Sequence, residues 1–377
     1  MTKIAYGVNG VGLGHATASK RVIDDLLEMD PSLEVLVFSS MAAFDFFRAA
    51  YGGHQRVRVE EIWGIDAQMR KGRVSVAKTA LHLLPHLRCR NQRLNGLSRR
   101  FREEGISLLI TDFEHYTPRA ALRAGIPIIA FSHSLFIRFL KLDPSELPQS
   151  VRASYRVAKN IVRYLYPLGH TNIVNTFYPF PHQEAEGVAF LGPILQKELI
   201  AAKRLVEEGD SVLVYPKSPN EDLFLRLIKE TPHLDFIFYV REPQRFLETK
   251  NIRFKEFSHE GFLRDLAQCR FALSTAGHQL PCEALFLKKP MLVVPEGGQF
   301  EQFYNGRMLE EMGLGISVSL QLMNPKVVGD FADRVEVYRA KLREVSIADA
   351  TSTAVSILQR ELSEAGSSSP SRGYWQS

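Results

Sequence analysis

Residues able to do chemistry are concentrated at a few points of this 377-residue chain. The first is Gly10-Val11-Gly12-Leu13-Gly14-His15. Glycines at alternate positions let backbone approach a ligand, and a histidine titrates near neutrality, so His15 can accept a proton from a hydroxyl. Gly10, Gly12 and Gly14 do not make a full G-x-G-x-x-G, and Val37-Phe38-Ser39-Ser40 offers no acid where a dinucleotide's ribose would be held. A nicotinamide cofactor is therefore disfavoured. The second point is Asp112, which closes the run Leu109-Ile110-Thr111. An aspartate facing His15 would hold the imidazole tautomer and stabilise the imidazolium. The alternatives are that His15 only closes a helix N-terminus and that Asp112 only caps the next helix. Glu114, His115 and His133 are rival bases on the same rim.

The third point is Ser274-Thr275-Ala276-Gly277-His278-Gln279-Leu280-Pro281-Cys282-Glu283, followed by Met291-Leu292-Val293-Val294-Pro295 and Glu301-Gln302-Phe303-Tyr304-Asn305. A strand ending at Ser274 turns through Gly277 into a helix, whose N-terminal N–H groups suit a diphosphate. Glu283, about a turn and a half further on, can accept hydrogen bonds from vicinal ribose hydroxyls. Glu301 and Gln302 can bond sugar hydroxyls. Lys217 and Ser218, in the turn Tyr215-Pro216-Lys217-Ser218-Pro219-Asn220, can meet phosphate, the lysine as a point charge.

These residues need elements to position them. Short apolar runs at 4–8, 34–38, 107–111 and 127–131 read as strands, with helices over 15–29, 42–50 and 118–124. The second half repeats the plan, with strands at 211–215, 236–240, 270–274 and 291–294 and helices at 222–229, 261–268, 279–286 and 300–312. Continuous apolar strands alternating with helices imply parallel sheets buried on both faces. The expected fold class is α/β, two tandem Rossmann-like domains facing a cleft. The first spans 1–175 and the second 194–346, with a linker at 176–193 that contains Pro179, Pro181 and Pro193. Two closing helices, 325–345 and 348–363, follow, the latter expected to pack back on the first domain. The Ser-rich tail 365–377 is expected to be disordered.

The block 274–305 resembles the nucleotide-sugar signature of glycosyltransferases with the GT-B fold. It is most similar to the family of the peptidoglycan lipid-intermediate N-acetylglucosaminyltransferase and diacylglycerol glycosyltransferases, glycosyltransferase family 28-like. The shared pattern is a strand, a small-Gly turn, a helix with Glu, an apolar strand ending in Pro, then an acidic or Gln-Gln-x-x-Asn motif. The resemblance implies that Gly277 and His278 bind the diphosphate, Glu283 the ribose, and Glu301 and Gln302 the donor sugar. Phe257 and Ser258 fall where the family holds the base. Gly12 and Gly14 match its N-terminal loop on the acceptor side, with Glu114 and His133 nearby. A related family that glycosylates small molecules uses a His–Asp pair, which His15 and Asp112 would match. The turn at 215–220 departs from the usual Gly/Ser-rich pattern.

No Asp-x-Asp accompanies the block, so no metal and no cofactor beyond the nucleotide diphosphate-sugar is expected. His82 and His86 flank Pro85 without a third ligand. Cys89, Cys269 and Cys282 are odd in number and far apart, which argues against disulfides and structural zinc and for a reducing cytosol. The N-terminus breaks into glycines too early for a signal peptide, and no apolar run approaches the ~20 residues of a membrane span. The net charge of +5 is local, since residues 70–102 hold ten Lys or Arg and no acid. Val76, Ala80, Leu84, Leu87, Leu94, Leu97 and Phe101 run through that stretch at helical spacing. A basic amphipathic helix of this kind suits an anionic membrane surface, or its apolar stripe packs on the sheet and its arginines face water. Nothing accompanies the charge that would read nucleic acid.

The expected activity is transfer of a sugar from a nucleotide diphosphate-sugar, UDP-linked, to a hydroxyl of a lipid, glycolipid or saccharide acceptor by inverting single displacement. The expected location is cytoplasmic or peripheral at the inner face of the membrane. A nucleotide-sugar hydrolase or 2-epimerase on the same fold, and a non-catalytic sugar-nucleotide-binding protein, are the alternatives.

Overall fold

Alternation of short apolar strands with helices produces two parallel sheets in the computed structural model. It describes residues 2–64, 69–70, 73–74, 76–216, 221–246 and 249–367, with backbone alone for 69–70, 73–74, 76–88 and 366–367. The strands are β1 (Lys3–Val8), β2 (Glu34–Ser39), β3 (Val57–Glu61), β4 (Met69–Arg70), β5 (Arg73–Val74), β6 (Leu108–Asp112), β7 (Ile128–Phe131), β8 (Thr171–Asn175) and β9 (Val188–Leu191). They continue with β10 (Val212–Tyr215), β11 (Phe236–Val240), β12 (Ile252–Glu256), β13 (Ala272–Ser274), β14 (Met291–Val293) and β15 (Gly315–Ser317). One sheet has the order β3-β2-β1-β6-β7-β8-β9 and the other β12-β11-β10-β13-β14-β15, while β4 and β5 form a separate antiparallel pair.

The chain divides into two units, Met1–Gln68 with Ser75–Ile194 and Asp349–Ser377, and Met69–Val74 with Leu195–Ala348. Each sheet is buried on both faces because helices follow its strands. In the first unit Ile4, Tyr6 and Val8 pack on one side, and Ala5, Leu109 and Ile128 on the other. In the second, Val212, Val214, Phe236 and Phe238 join Phe224, Phe331 and Tyr338. Such two-sided burial is why these strands read as continuous apolar runs instead of alternating ones.

Several elements differ from the sequence expectation. The stretch 176–193 contains β9, because Val188-Ala189-Phe190-Leu191 pairs with Asn172 to Asn175; Pro179 and Pro181 precede the strand and Pro193 follows it, where no ladder bond is lost. Strands β3, β8 and β15 and the helix Gln149–Leu165 are further elements. The closing helix at 325–345 is two helices, Pro325–Asp333 and Val335–Glu344, broken at Arg334. The tail beyond residue 367 lies outside the described residues.

The basic stretch forms part of the helix Val76–Glu103, which runs through Pro85 and Gly96. From residue 89 onward its apolar stripe faces inward. Leu94 and Phe101 are buried with Ala120 and Ala121, and Leu97 packs against them. Arg100 pairs with Glu60 and Glu104. This part of the stretch is thus a core helix with a solvated basic face, which corrects the membrane reading there; the side chains of 76–88 lie outside the described residues. Among the described residues no helix is long and apolar enough to cross a membrane.

The helix Thr351–Ser367 completes the first unit. Ala354, Val355 and Leu358 share the core with Ala16, Val22 and Ile23 of the helix Gly14–Met29. Glu361 bonds His170 Nε2 at 2.8 Å and Thr171 Oγ1 at 2.9 Å, tying the helix to β8. Truncation of the fully buried Leu358 to alanine is expected to cost about 2–5 kcal/mol, and Glu361→Ala about 1–3 kcal/mol by stranding its partners. Chemical denaturation checks this; wild-type unfolding midpoints in both variants would show that the helix is not held by these contacts.

Candidate active site

Parallel pairing of β1 with β6 sets Val8 opposite Asp112. The loop leaving β1 and the end of β6 therefore share the carboxyl edge of the first sheet, where ligands bind in such folds. The loop is tight. A Cβ on Gly10 would lie 2.5 Å from the Ser40 carbonyl oxygen, and Gly12 has φ +74, so both positions favour glycine. Gly14 opens the helix Gly14–Met29, which puts His15 in its first turn.

His15 Nδ1 lies 2.8 Å from Asp112 Oδ1. An ionised carboxylate only accepts, so Nδ1 carries the proton and Nε2 is the basic nitrogen. Ser19, one turn after His15 on the same helix, donates to Asp112 Oδ2 at 3.0 Å. The buried Tyr6 hydroxyl bonds Ser19 in turn; burial, and then the Asp112 charge, holds its pKa well above the usual phenol range. Both carboxylate oxygens are thereby fixed. The His15 ring also stacks on Phe113, with centroids 6.0 Å apart and planes at 7°, and Phe113 stacks on Tyr166 at 3.7 Å. Phe113 has φ +49, a left-handed backbone that is costly for a bulky residue.

The rival bases are placed elsewhere. Glu114, not Asp112, caps the helix Thr117–Ala124: its carboxylate accepts from Tyr116 N, Thr117 N and Thr117 Oγ1, each at 2.6 Å. Burial raises its pKa, with the Thr117 and Tyr116 bonds opposing. His133 is buried, with Nδ1 2.9 Å from the Asn175 carbonyl and its ring between Phe136 and Tyr178. His115 is half-buried beside Trp63, and desolvation, reinforced by Arg119 and Arg90, pushes its pKa down to about 3. All three side chains support the fold around the His15–Asp112 pair through these contacts.

In the second unit, the turns after β13 and β14 lie at the carboxyl edge of a parallel sheet. Among the described residues, a Cβ at Gly277 would meet no atom within 4 Å. Asn305 Nδ2 donates to the Ala276 carbonyl at 3.1 Å and pins the turn. His278 stands at the N-terminus of the helix Gln279–Phe286, with Nε2 3.2 Å from Cys282 Sγ. Burial raises the Cys282 thiol pKa well above its ordinary value.

Glu283 Oε1 accepts from Gln279 Nε2 at 2.9 Å and from Gln196 Nε2 at 3.0 Å. Burial pushes its pKa up to about 7 against these two bonds. Glu301 is in the first turn of the helix Phe300–Glu311. Gln302 is buried, accepts from Glu296 N at 3.0 Å and donates to the Glu296 carboxylate at 2.7 Å, which shapes the loop after β14. Phe257, 40% exposed, follows β12 and packs near Tyr215 and Phe262, and Ser258 precedes the helix His259–Gln268. Lys217 and Ser218 lie outside the described residues. Ser19, Phe113, Gln196 and Glu296 are residues at the candidate site beyond the sequence reading. Of these, Ser19 alone had a local signal, four residues from His15 on one helix face.

Comparison with known proteins follows from this geometry. A sequence search of curated proteins finds no match. Similar solved structures include a UDP-glucose: anthocyanidin 3-O-glucosyltransferase in complex with UDP, at TM-score 0.68 and 13% identity over 96% of this chain and 99% of that one. Medicago truncatula UGT71G1, complexed with UDP-glucose, matches at TM-score 0.63 and 13% identity over 96% and 98%. Acinetobacter baumannii MurG matches at TM-score 0.60 and 12% identity over 96% and 100%. At these identities the likeness is one of fold, and it establishes the two-domain α/β architecture of GT-B glycosyltransferases. The model for Glycosyl transferase family 1 matches residues 2–336. That span covers most of the chain, and the protein therefore belongs to Glycosyl transferase family 1 and is a glycosyltransferase.

Proposed function

We propose that this glycosyltransferase moves a sugar from a UDP-sugar to the hydroxyl of an acceptor with an apolar body, a lipid or glycolipid, by a single inverting displacement. The observation that carries the mechanism is the His15–Asp112 pair at 2.8 Å, with Ser19 on the second carboxylate oxygen. His15 Nε2 takes the acceptor proton while the acceptor oxygen attacks the anomeric carbon and the diphosphate leaves with its bonding pair. Asp112 stabilises the imidazolium and holds the proton on Nδ1. Val11 and Leu13 expose apolar side chains in the loop that carries His15, which suits an apolar acceptor.

In the second unit the N-terminus of the helix Gln279–Phe286, Gly277 and His278 face the diphosphate and stabilise it as it leaves. Glu283 takes the ribose hydroxyls, Phe257 and Ser258 the base, and Glu301 the donor sugar. Ser218 is assigned to phosphate by its place in the sequence alone. The UDP-linked donor is supported by the similar structures solved with UDP-glucose and with UDP. No metal enters this reading.

His15→Ala is expected to lower kcat about 10²- to 10⁴-fold, the usual weight of a general base, with donor affinity unchanged. A wild-type rate in the purified variant removes the base assignment. Asp112→Asn is expected to lower kcat as well, because an amide nitrogen facing Nδ1 favours the wrong tautomer; single-turnover kinetics with saturating donor would read this.

Donor binding should depend on pH through Glu283. Its pKa is raised to about 7, so the ionised form that accepts ribose hydroxyls dominates above that pH. Affinity should increase as pH rises through 7, with proton release on binding, and the dependence should vanish in Glu283→Gln. Calorimetric titration of UDP across this range checks it, and a flat profile in the wild type removes Glu283 from the ribose role. Release of free sugar without acceptor, at the rate of transfer, would instead make the protein a hydrolase.

A further inference from the structure

A surface helix of a globular protein needs one apolar stripe. The helix Gln149–Leu165 has two. Tyr155 and Val162 are buried on the side that packs on the first unit. On the opposite side, at i, i+4 and i+7, Val157 is 44% exposed, Ile161 40% and Tyr164 67%. Thirteen large hydrophobic residues are this exposed among the described ones, and three of them share this one face. Scattered exposed apolar residues need no explanation, but an aligned stripe opposite an already buried one does.

The charge on the same helix is one-signed. Arg152, Arg156, Lys159 and Arg163 are its cations, and its seventeen residues include no acid. Arg152 bonds the carbonyls of Leu147 and Ser145, and Lys159 bonds the Tyr155 hydroxyl, so these two also serve the fold. Arg156 and Arg163 are exposed beside the apolar stripe. At the C-terminal end, Arg119 and Arg138 donate to the carbonyls of Tyr164, Leu165 and Arg163, adding positive charge there. The nearest acids along the chain, Asp143 and Glu146, precede the helix.

We propose that the outer face of the helix Gln149–Leu165 docks on an anionic lipid bilayer, with Val157, Ile161 and Tyr164 entering the headgroup boundary and Arg156 and Arg163 meeting lipid phosphates. An apolar stripe with cations along one edge fits the plane of a membrane interface, where one side is apolar and the rim is negative. A second copy presenting the same face would set cation against cation, which disfavours self-association. Nucleic acid offers phosphates but nothing for a central apolar stripe. The helix carries no residue of the proposed reaction, so docking and transfer are read separately.

The test is co-sedimentation of the full chain with vesicles of phosphatidylcholine alone and of equal phosphatidylcholine and phosphatidylglycerol. Binding is expected to the anionic vesicles only and to weaken as salt is raised. Each surface cation contributes roughly fivefold in affinity. Arg156→Gln with Arg163→Gln is therefore expected to weaken binding roughly 25-fold, and Ile161→Ser with Tyr164→Ser to weaken it as well. Both double variants are expected to keep the wild-type Tm and UDP affinity. Absence of vesicle binding by the wild type, binding that neither double variant reduces, or a concentration-dependent dimer that both variants abolish would each overturn the proposal. The first outcome would leave an acidic protein partner, and the last a second copy, as the occupant.

Discussion

The bond between His15 and Asp112 depends on a constraint of the whole first sheet. The two residues are 97 positions apart and meet because β1 and β6 are adjacent parallel strands in register, with Val8 opposite Asp112. A one-residue slip would turn Asp112 to the other face of the sheet. The register is held by burial on both faces, since Ile4, Tyr6 and Val8 belong to one core and Ala5 to the other. Tyr6 has a second part, because its hydroxyl reaches Ser19, which holds the Asp112 carboxylate. Core packing and the surroundings of the Asp112 carboxylate thus share one side chain. The left-handed Phe113 completes the arrangement, turning the chain sharply after Asp112 and placing an aromatic face against the imidazole.

The second unit is organised by the same edge but with different chemistry. Its candidate turns hold a helix N-terminus, an imidazole in contact with a buried thiol, and a carboxyl whose pKa burial has raised to about 7. Asn305 bonds the Ala276 carbonyl and Gln302 bonds Glu296, so both hold the turns in shape.

Much of this was legible in one dimension. Apolar runs flanked by glycine and proline located β1, β2, β6, β7, β10, β11, β13 and β14 within a residue or two, because two-sided burial leaves a continuous apolar signature. The helix Gln279–Phe286 was read with its observed ends. Strands β8 and β9 were missed because polar Thr171, Asn172 and Asn175 and nearby prolines mask runs of only four or five residues. The helix Gln149–Leu165 was missed because its two apolar stripes blur the single-stripe period on which such reading relies. The basic stretch was legible as charge, but which way its apolar stripe faced was not, since a stripe packed on a sheet and one lying on a lipid have the same spacing.

The sequence by itself determined the alternation that makes two parallel sheets, the turns at their carboxyl edges, and the residue types at those turns: His15, Asp112, Gly277, His278, Glu283 and Glu301. These are local properties, set by period, by glycine and proline, and by what each side chain can donate or accept. Only the tertiary structure decided which of them work together. It paired His15 with Asp112 and gave Glu114 to a helix cap, His133 to an aromatic cluster and Gln302 to a loop. It also turned one helix's second apolar face outward. Partner choice in a buried site depends on register and on who competes for each polar atom, and these are set by contacts between residues far apart along the chain.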